Sequence, residues 1–150
     1  MLSPSKKVND SRAEEIRKVA TEFRRALEGG GKFLPDPFGA FPEGSCWGAS
    51  EVLGIYLKDE LGIDCIYVSA WNYCNGARSH AWLEYGDLTI DITADQFGQN
   101  PVVVERGSEW HKAFGEARRR PLESDPESLE SGCAAALKYV CAAKLAVPSS

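Results

Sequence analysis

The sequence predicts an α+β fold in which a helix headed by a cysteine packs against an antiparallel β-sheet. Apolar residues recur three and four positions apart in several stretches, one alternating segment doubles back at a Gly-Asp pair, and glycine and proline clusters separate these units. The chain has 150 residues, 43% hydrophobic and 26% charged, which suffices for one substantial core. One domain spanning 1–150 is therefore expected.

Residues 11–28 read as an amphipathic helix with Ile16, Val19, Ala20, Phe23 and Leu27 inward, a capping box from Ser11 and Glu14, and Gly29, Gly30 and Gly31 as its stop. The connector 33–45 carries Pro35, Pro37 and Pro42. The next helix begins at Cys46 with Ser45 as cap. It turns Ala49, Val52, Leu53, Tyr56 and Leu57 inward, leaves Glu51, Lys58, Asp59 and Glu60 outside, and stops at Gly62. Residues 63–70 read as a buried strand, 71–76 as an Asn-rich turn and 101–105 as an edge strand with Pro101 near its start. A short helix over 108–118 uses Trp110, Ala113, Phe114 and Ala117, which leaves His111 in a surface or supporting role and Arg118, Arg119 and Arg120 as a solvated helix end. After a break at 121–126, Leu129, Cys133, Leu137, Val140 and Cys141 form a C-terminal helical stripe.

The chemistry-bearing residues follow from the helix at Cys46 and the segment 80–93. Unpaired N–H groups and partial positive charge at a helix start favour a thiolate over a thiol. If Gly86 and Asp87 form a two-residue hairpin loop, Tyr85 pairs with Leu88 and Trp82 with Asp91, so His80 and Asp91 become diagonal neighbours on one face. Such neighbours lie about 7–8 Å apart at Cα, within reach of a side-chain hydrogen bond. A slip of one residue would put Asp91 on the wrong face. The expected roles are Cys46 as nucleophile, His80 as base and acid, and Asp91 as orienter of the imidazole, in hydrolysis of an amide or peptide bond through a thioester. The Cys46 N–H and a donor among Trp71, Asn72 and Asn75 are expected at the oxyanion, with Trp47 and Trp82 lining the cleft or packing. Asp95 is expected to cap a turn or stay solvated, and Cys74 to be a loop thiol without helix activation.

The pairs Cys46-Trp47, His80-Ala81-Trp82 and Asp91-Ile92-Thr93 resemble the transglutaminase-like branch of the papain-like cysteine enzymes, over roughly residues 42–95. The resemblance implies a transglutaminase-like papain-type fold, a catalytic core at 42–95, and a peptidase or amidase activity. It equally implies deamidation of a protein glutamine or transfer to an amine. It also implies a peptide or protein substrate, glutamine-containing among the options.

Other classes are set aside or kept as competitors. A formal charge of −5 argues against nucleic acid, and no run of about 18 apolar residues suits a bilayer. Five cysteines leave at least one thiol unpaired in a monomer, and the start lacks a convincing apolar export segment, which favours a reducing cytoplasm with accessory-dependent secretion left open. A zinc site of Cys65, Cys74, His80 and Asp91 lacks compact spacing, so no metal and no cofactor are expected. A catalytically inactive peptide- or protein-binding module is the remaining alternative, and the oligomeric state stays open.

Overall fold

The computed structural model describes residues 6–72, 78–122 and 125–146. Its element order is α1 (Asp10–Gly30), α2 (Cys46–Leu61), β1 (Ile66–Asn72), β2 (Arg78–Tyr85), β3 (Leu88–Asp91), β4 (Val103–Arg106), α3 (Glu109–Lys112), β5 (Ala117–Pro121) and α4 (Ser131–Ala146). The strands form a five-stranded sheet in the order β4-β3-β2-β1-β5, antiparallel at every step. This is an α+β fold with helices packed against an antiparallel sheet. No helix among the described residues is long and apolar enough to cross a membrane.

Helix α1 starts one residue earlier than its spacing predicts, because Asn9 rather than Ser11 supplies the cap: its side chain accepts from the Arg12 N–H at 2.8 Å. Ile16, Ala20, Phe23 and Leu27 are fully buried, as the apolar stripe requires. Helix α2 starts at Cys46 and ends at Gly62, whose φ of 68° is the left-handed conformation that closes a helix most easily without a Cβ. Ser45 does not cap it; the hydroxyl donates back to the Pro42 carbonyl at 2.8 Å. Nor is α2 one-sided. Every residue from Val52 to Leu57 is buried, since α2 lies between the sheet and the helices α1 and α4. Its residues join Leu27, Leu83, Ile90 and Val140 in the main core.

The β2–β3 hairpin turns at Gly86 and Asp87, with Tyr85 opposite Leu88, Glu84 opposite Thr89 and Leu83 opposite Ile90. Alternation then sends Ala81 and Leu83 toward α2 and places His80 and Trp82 on the other face. The turn is stapled by the chain's beginning: Asp87 N–H donates to the Lys6 carbonyl at 2.7 Å, and Val8 N–H donates to Asp87 Oδ1 at 2.8 Å.

The region after β4 departs from expectation. Only one helical turn forms, at α3, because Gly115 breaks the pattern and its N–H donates to the Trp71 carbonyl at 2.8 Å. Arg118, Arg119 and Arg120 are therefore part of the exposed strand β5 and not a helix end. Asp95 is neither a simple turn cap nor solvated by itself. It forms a two-pronged pair with the Arg24 guanidinium, both contacts at 2.7 Å, and Arg24 also donates to Glu28 and to the Ile92 carbonyl.

Gly86 combines a φ of 57° with a Lys6 carbonyl oxygen that an added Cβ would meet at 2.5 Å. Gly86→Ala is expected to destabilise the protein by more than about 1 kcal/mol, read as a lowered urea midpoint at unchanged slope. An unchanged midpoint would contradict the close approach of the N-terminal segment to this turn.

Candidate metal centre

Three elements far apart in sequence converge on one carboxylate. Asp91, at the end of β3, accepts from His80 Nε2 on β2 at 2.6 Å and from His111 Nε2 on α3 at 2.7 Å, both at the same oxygen, Oδ2. Its Oδ1 accepts from the Thr93 N–H at 2.9 Å and the Thr93 hydroxyl at 3.4 Å. All three residues are at most 5% exposed. Aromatic rings close the surroundings: Phe97, Trp110, Trp82 and Phe114 stand with centroids 5.0, 5.6, 5.7 and 5.9 Å from the His80 ring.

The local sequence explains the placement. Period two along β2 puts His80 and Trp82 on one face, and the tight hairpin brings Asp91 beside them. Ser108 caps α3, accepting from the His111 N–H at 3.4 Å, and the single turn then presents Trp110, His111 and Phe114 to the same face.

Protonation states follow from these bonds. Burial alone would lift the Asp91 pKa, but hydrogen bonds from His111 and His80 outweigh it and hold the carboxyl well below its usual range. An ionised Asp91 accepts from both imidazoles, so both Nε2 atoms carry hydrogen. His111 Nδ1 then accepts from the Ser108 hydroxyl, 2.5 Å away. At His80, burial opposes the charged form; the Asp91 hydrogen bond and then neighbouring Cys46 push its pKa up to about 9. His80 and Asp91 thus form a buried ion pair. His80 Nδ1 and the Trp82 indole N–H are buried without a hydrogen-bond partner among the described residues.

This arrangement corrects the expected chemistry. The cluster with ligand-like geometry is His80, Asp91 and His111, and no cysteine belongs to it. Helix α2 packs on the Ala81 and Leu83 side of β2, so Cys46, half-buried at its head, stands at the rim. Cys46 lies close enough to His80 to help raise its pKa, yet no group meets His80 Nδ1, the atom that would take the thiol proton, with hydrogen-bond geometry among the described residues. Asp91 is not dedicated to one imidazole, as the orienter of a relay is, but is shared by two. The reading of a cysteine hydrolase, peptidase, amidase or acyltransferase with a Cys-His-Asp triad is overturned on these grounds.

The remaining expected site residues scatter. Trp82 is buried in the aromatic wall, whereas Trp47 and Trp71 are 42% and 46% exposed. Asn75, Cys74 and the Asn72 side chain lie outside the described residues. Cys65 precedes Ile66, which pairs with Glu84 four positions along β2 from His80, so it cannot share ligation with that histidine; burial pushes its pKa up to about 12. His111, expected in a surface or supporting role, is buried at the centre. The available signal was that it is one of only two histidines in the chain, preceded by Ser108 at cap spacing.

Comparison with known protein families, with curated proteins and with solved structures found no match.

The pKa directions set a pH window. A histidine raised to about 9 contributes stability in full below its unfolded value of about 6.5 and loses it as pH rises through 9. The depressed Asp91 contributes above its ordinary range and loses that contribution as pH falls below it. The urea midpoint is expected to decline from about pH 6.5 to beyond 9, with a histidine imidazole titrating near 9 by NMR. A flat midpoint across that interval, with the His80 imidazole titrating near 6.5, would refute the buried ion pair.

Proposed function

We propose that the protein binds one divalent transition-metal ion through His80, Asp91 and His111. The observation that carries this reading is the convergence of three buried donors, two imidazole nitrogens and a carboxylate oxygen, all within 4.8 Å of one another. Two imidazoles with one carboxylate suit zinc or iron(II) and not calcium or magnesium, which take oxygen ligands. Three protein ligands leave a further coordination position for water or a ligand.

The present contacts of 2.6 and 2.7 Å are hydrogen bonds. Metal–ligand bonds of about 2.0–2.1 Å at tetrahedral angles set donor atoms roughly 3.3 Å apart, so loading widens each contact by roughly 0.6–0.7 Å and displaces the Nε2 protons. Ser108 supports this exchange, because its oxygen can accept from His111 Nδ1–H once Nε2 turns to the metal. Of the readings open at the sequence level, a binding module is therefore closer than an enzyme.

We also propose that the scaffold is a variant of the transglutaminase-like, papain-type fold. Support comes from a helix headed by Cys46-Trp47 that packs on the strand pair carrying His80 and Asp91. In this variant the second histidine claims the aspartate.

Equilibrium dialysis against zinc, iron(II), cobalt, magnesium and calcium is expected to give one equivalent of a transition metal and none of the alkaline-earth ions. His111→Ala and Asp91→Asn are expected to weaken binding by more than about 100-fold, beyond the range for outer contacts, and Ser108→Ala by about 10-fold. Cys46→Ala is expected to bind normally. Absence of stoichiometric metal, or its loss in Cys46→Ala alone, would overturn the site.

A further inference from the structure

The two edges of the sheet are finished differently. Strand β4 is overlaid by α1, whose Arg17 donates to the Val104 carbonyl, and Arg106 at its end bonds to Val8 and Asp10. Strand β5 has β1 on one side and no strand on the other among the described residues, and all five of its residues are exposed. An open edge of this kind offers backbone donors and acceptors to an incoming strand.

Its side chains state what can approach. Arg119 is neutralised by Glu84, at 2.8 and 3.1 Å, and Arg120 by Glu51 while its guanidinium lies 4.2 Å from the Tyr67 ring centroid. Arg118 has no ion pair among the described residues. Pairing with Ser69 and Tyr67 on β1 puts Arg118 and Arg120 on one face. On that face, at the Pro121 end, opens a groove of about 630 Å³ bounded by Trp47, Arg120, Pro121, Leu129 and Glu130. Glu130 repels anions there, so negative side chains are directed to the Arg118 end and apolar ones to Trp47 and Leu129.

From this geometry we propose that β5 is a docking edge for an acidic peptide in extended conformation, added as a sixth strand with a large apolar side chain in the Trp47 groove. A second copy of the chain is the wrong occupant: β5 against β5 would bring the unpaired Arg118 of each copy to a strand that carries three arginines and no carboxylate. An edge arginine without a counter-charge disfavours a basic twin and gains an ion pair only from an acidic strand. The proposal is independent of the metal site.

The test uses the full chain and fluorescence anisotropy with a fluorescein-labelled peptide of alternating glutamate and valine ending in phenylalanine. Its lysine–valine counterpart and two versions N-methylated on one or the other set of alternating backbone amides serve as controls. Saturable binding of the glutamate peptide is expected, with none for the lysine peptide. One N-methylated version is expected to lose binding and the other to keep it, because only one set of amides faces the sheet. Arg118→Glu, at an exposed position, is expected to weaken binding at least about tenfold with an unchanged circular dichroism spectrum. Equal binding of both N-methylated versions would reduce the contact to charge alone and overturn strand addition. So would the absence of saturable binding, indifference to Arg118→Glu, or a dimer in sedimentation that this substitution strengthens.

Discussion

A carboxylate taken out of water must be repaid by hydrogen bonds or it will not stay ionised, and Asp91 is where this chain meets that constraint. The four donors it collects come from β2, from α3 and from Thr93, two residues beyond β3. Satisfying one side chain therefore fixes the relative position of three segments. The single turn of α3 is too short to hold itself in water. It is held by the His111 contact with Asp91 and by Trp110 and Phe114 packing around His80.

Arg24 plays the matching part on the other side. Its guanidinium, on α1, gathers Asp95, Glu28 and the carbonyls of Ile92 and Pro101, and stacks 4.8 Å from the Phe41 ring centroid. Two of those partners flank Thr93, whose N–H and hydroxyl serve Asp91. The long helix thus braces the same short stretch that completes the buried cluster. An arginine suits this position because its planar fork satisfies a carboxylate and carbonyls at once.

What could be read from the sequence was what is local. The hairpin register and the face shared by His80 and Asp91 followed from a two-residue turn and a period of two, and the limits of α2 from Cys46 and Gly62. His111 could not be placed that way, because its burial depends on a 20-residue detour that returns α3 to β3. The pattern at 108–118 fits a helix on its apolar positions, yet Gly115 and the pairing of β5 with β1 win over that propensity. The stripe on α2 was misleading for a related reason: a helix covered on two sides shows only part of its buried surface as periodicity. Cys46, His80 and Asp91 were each placed sensibly by spacing. What spacing did not carry was that a second imidazole would share the carboxylate.

The burial of α2 on both sides has a consequence for how the molecule opens. With the sheet on one flank and α1 and α4 on the other, its amides reach solvent only when both layers part. Hydrogen exchange along Val52 to Leu57 should then report the global free energy of unfolding, while α3, a single turn pinned by side chains, exchanges through small local openings. The helix that begins at Cys46 and the turn that carries His111 belong to different cooperative units, so the buried cluster can breathe without the core coming apart.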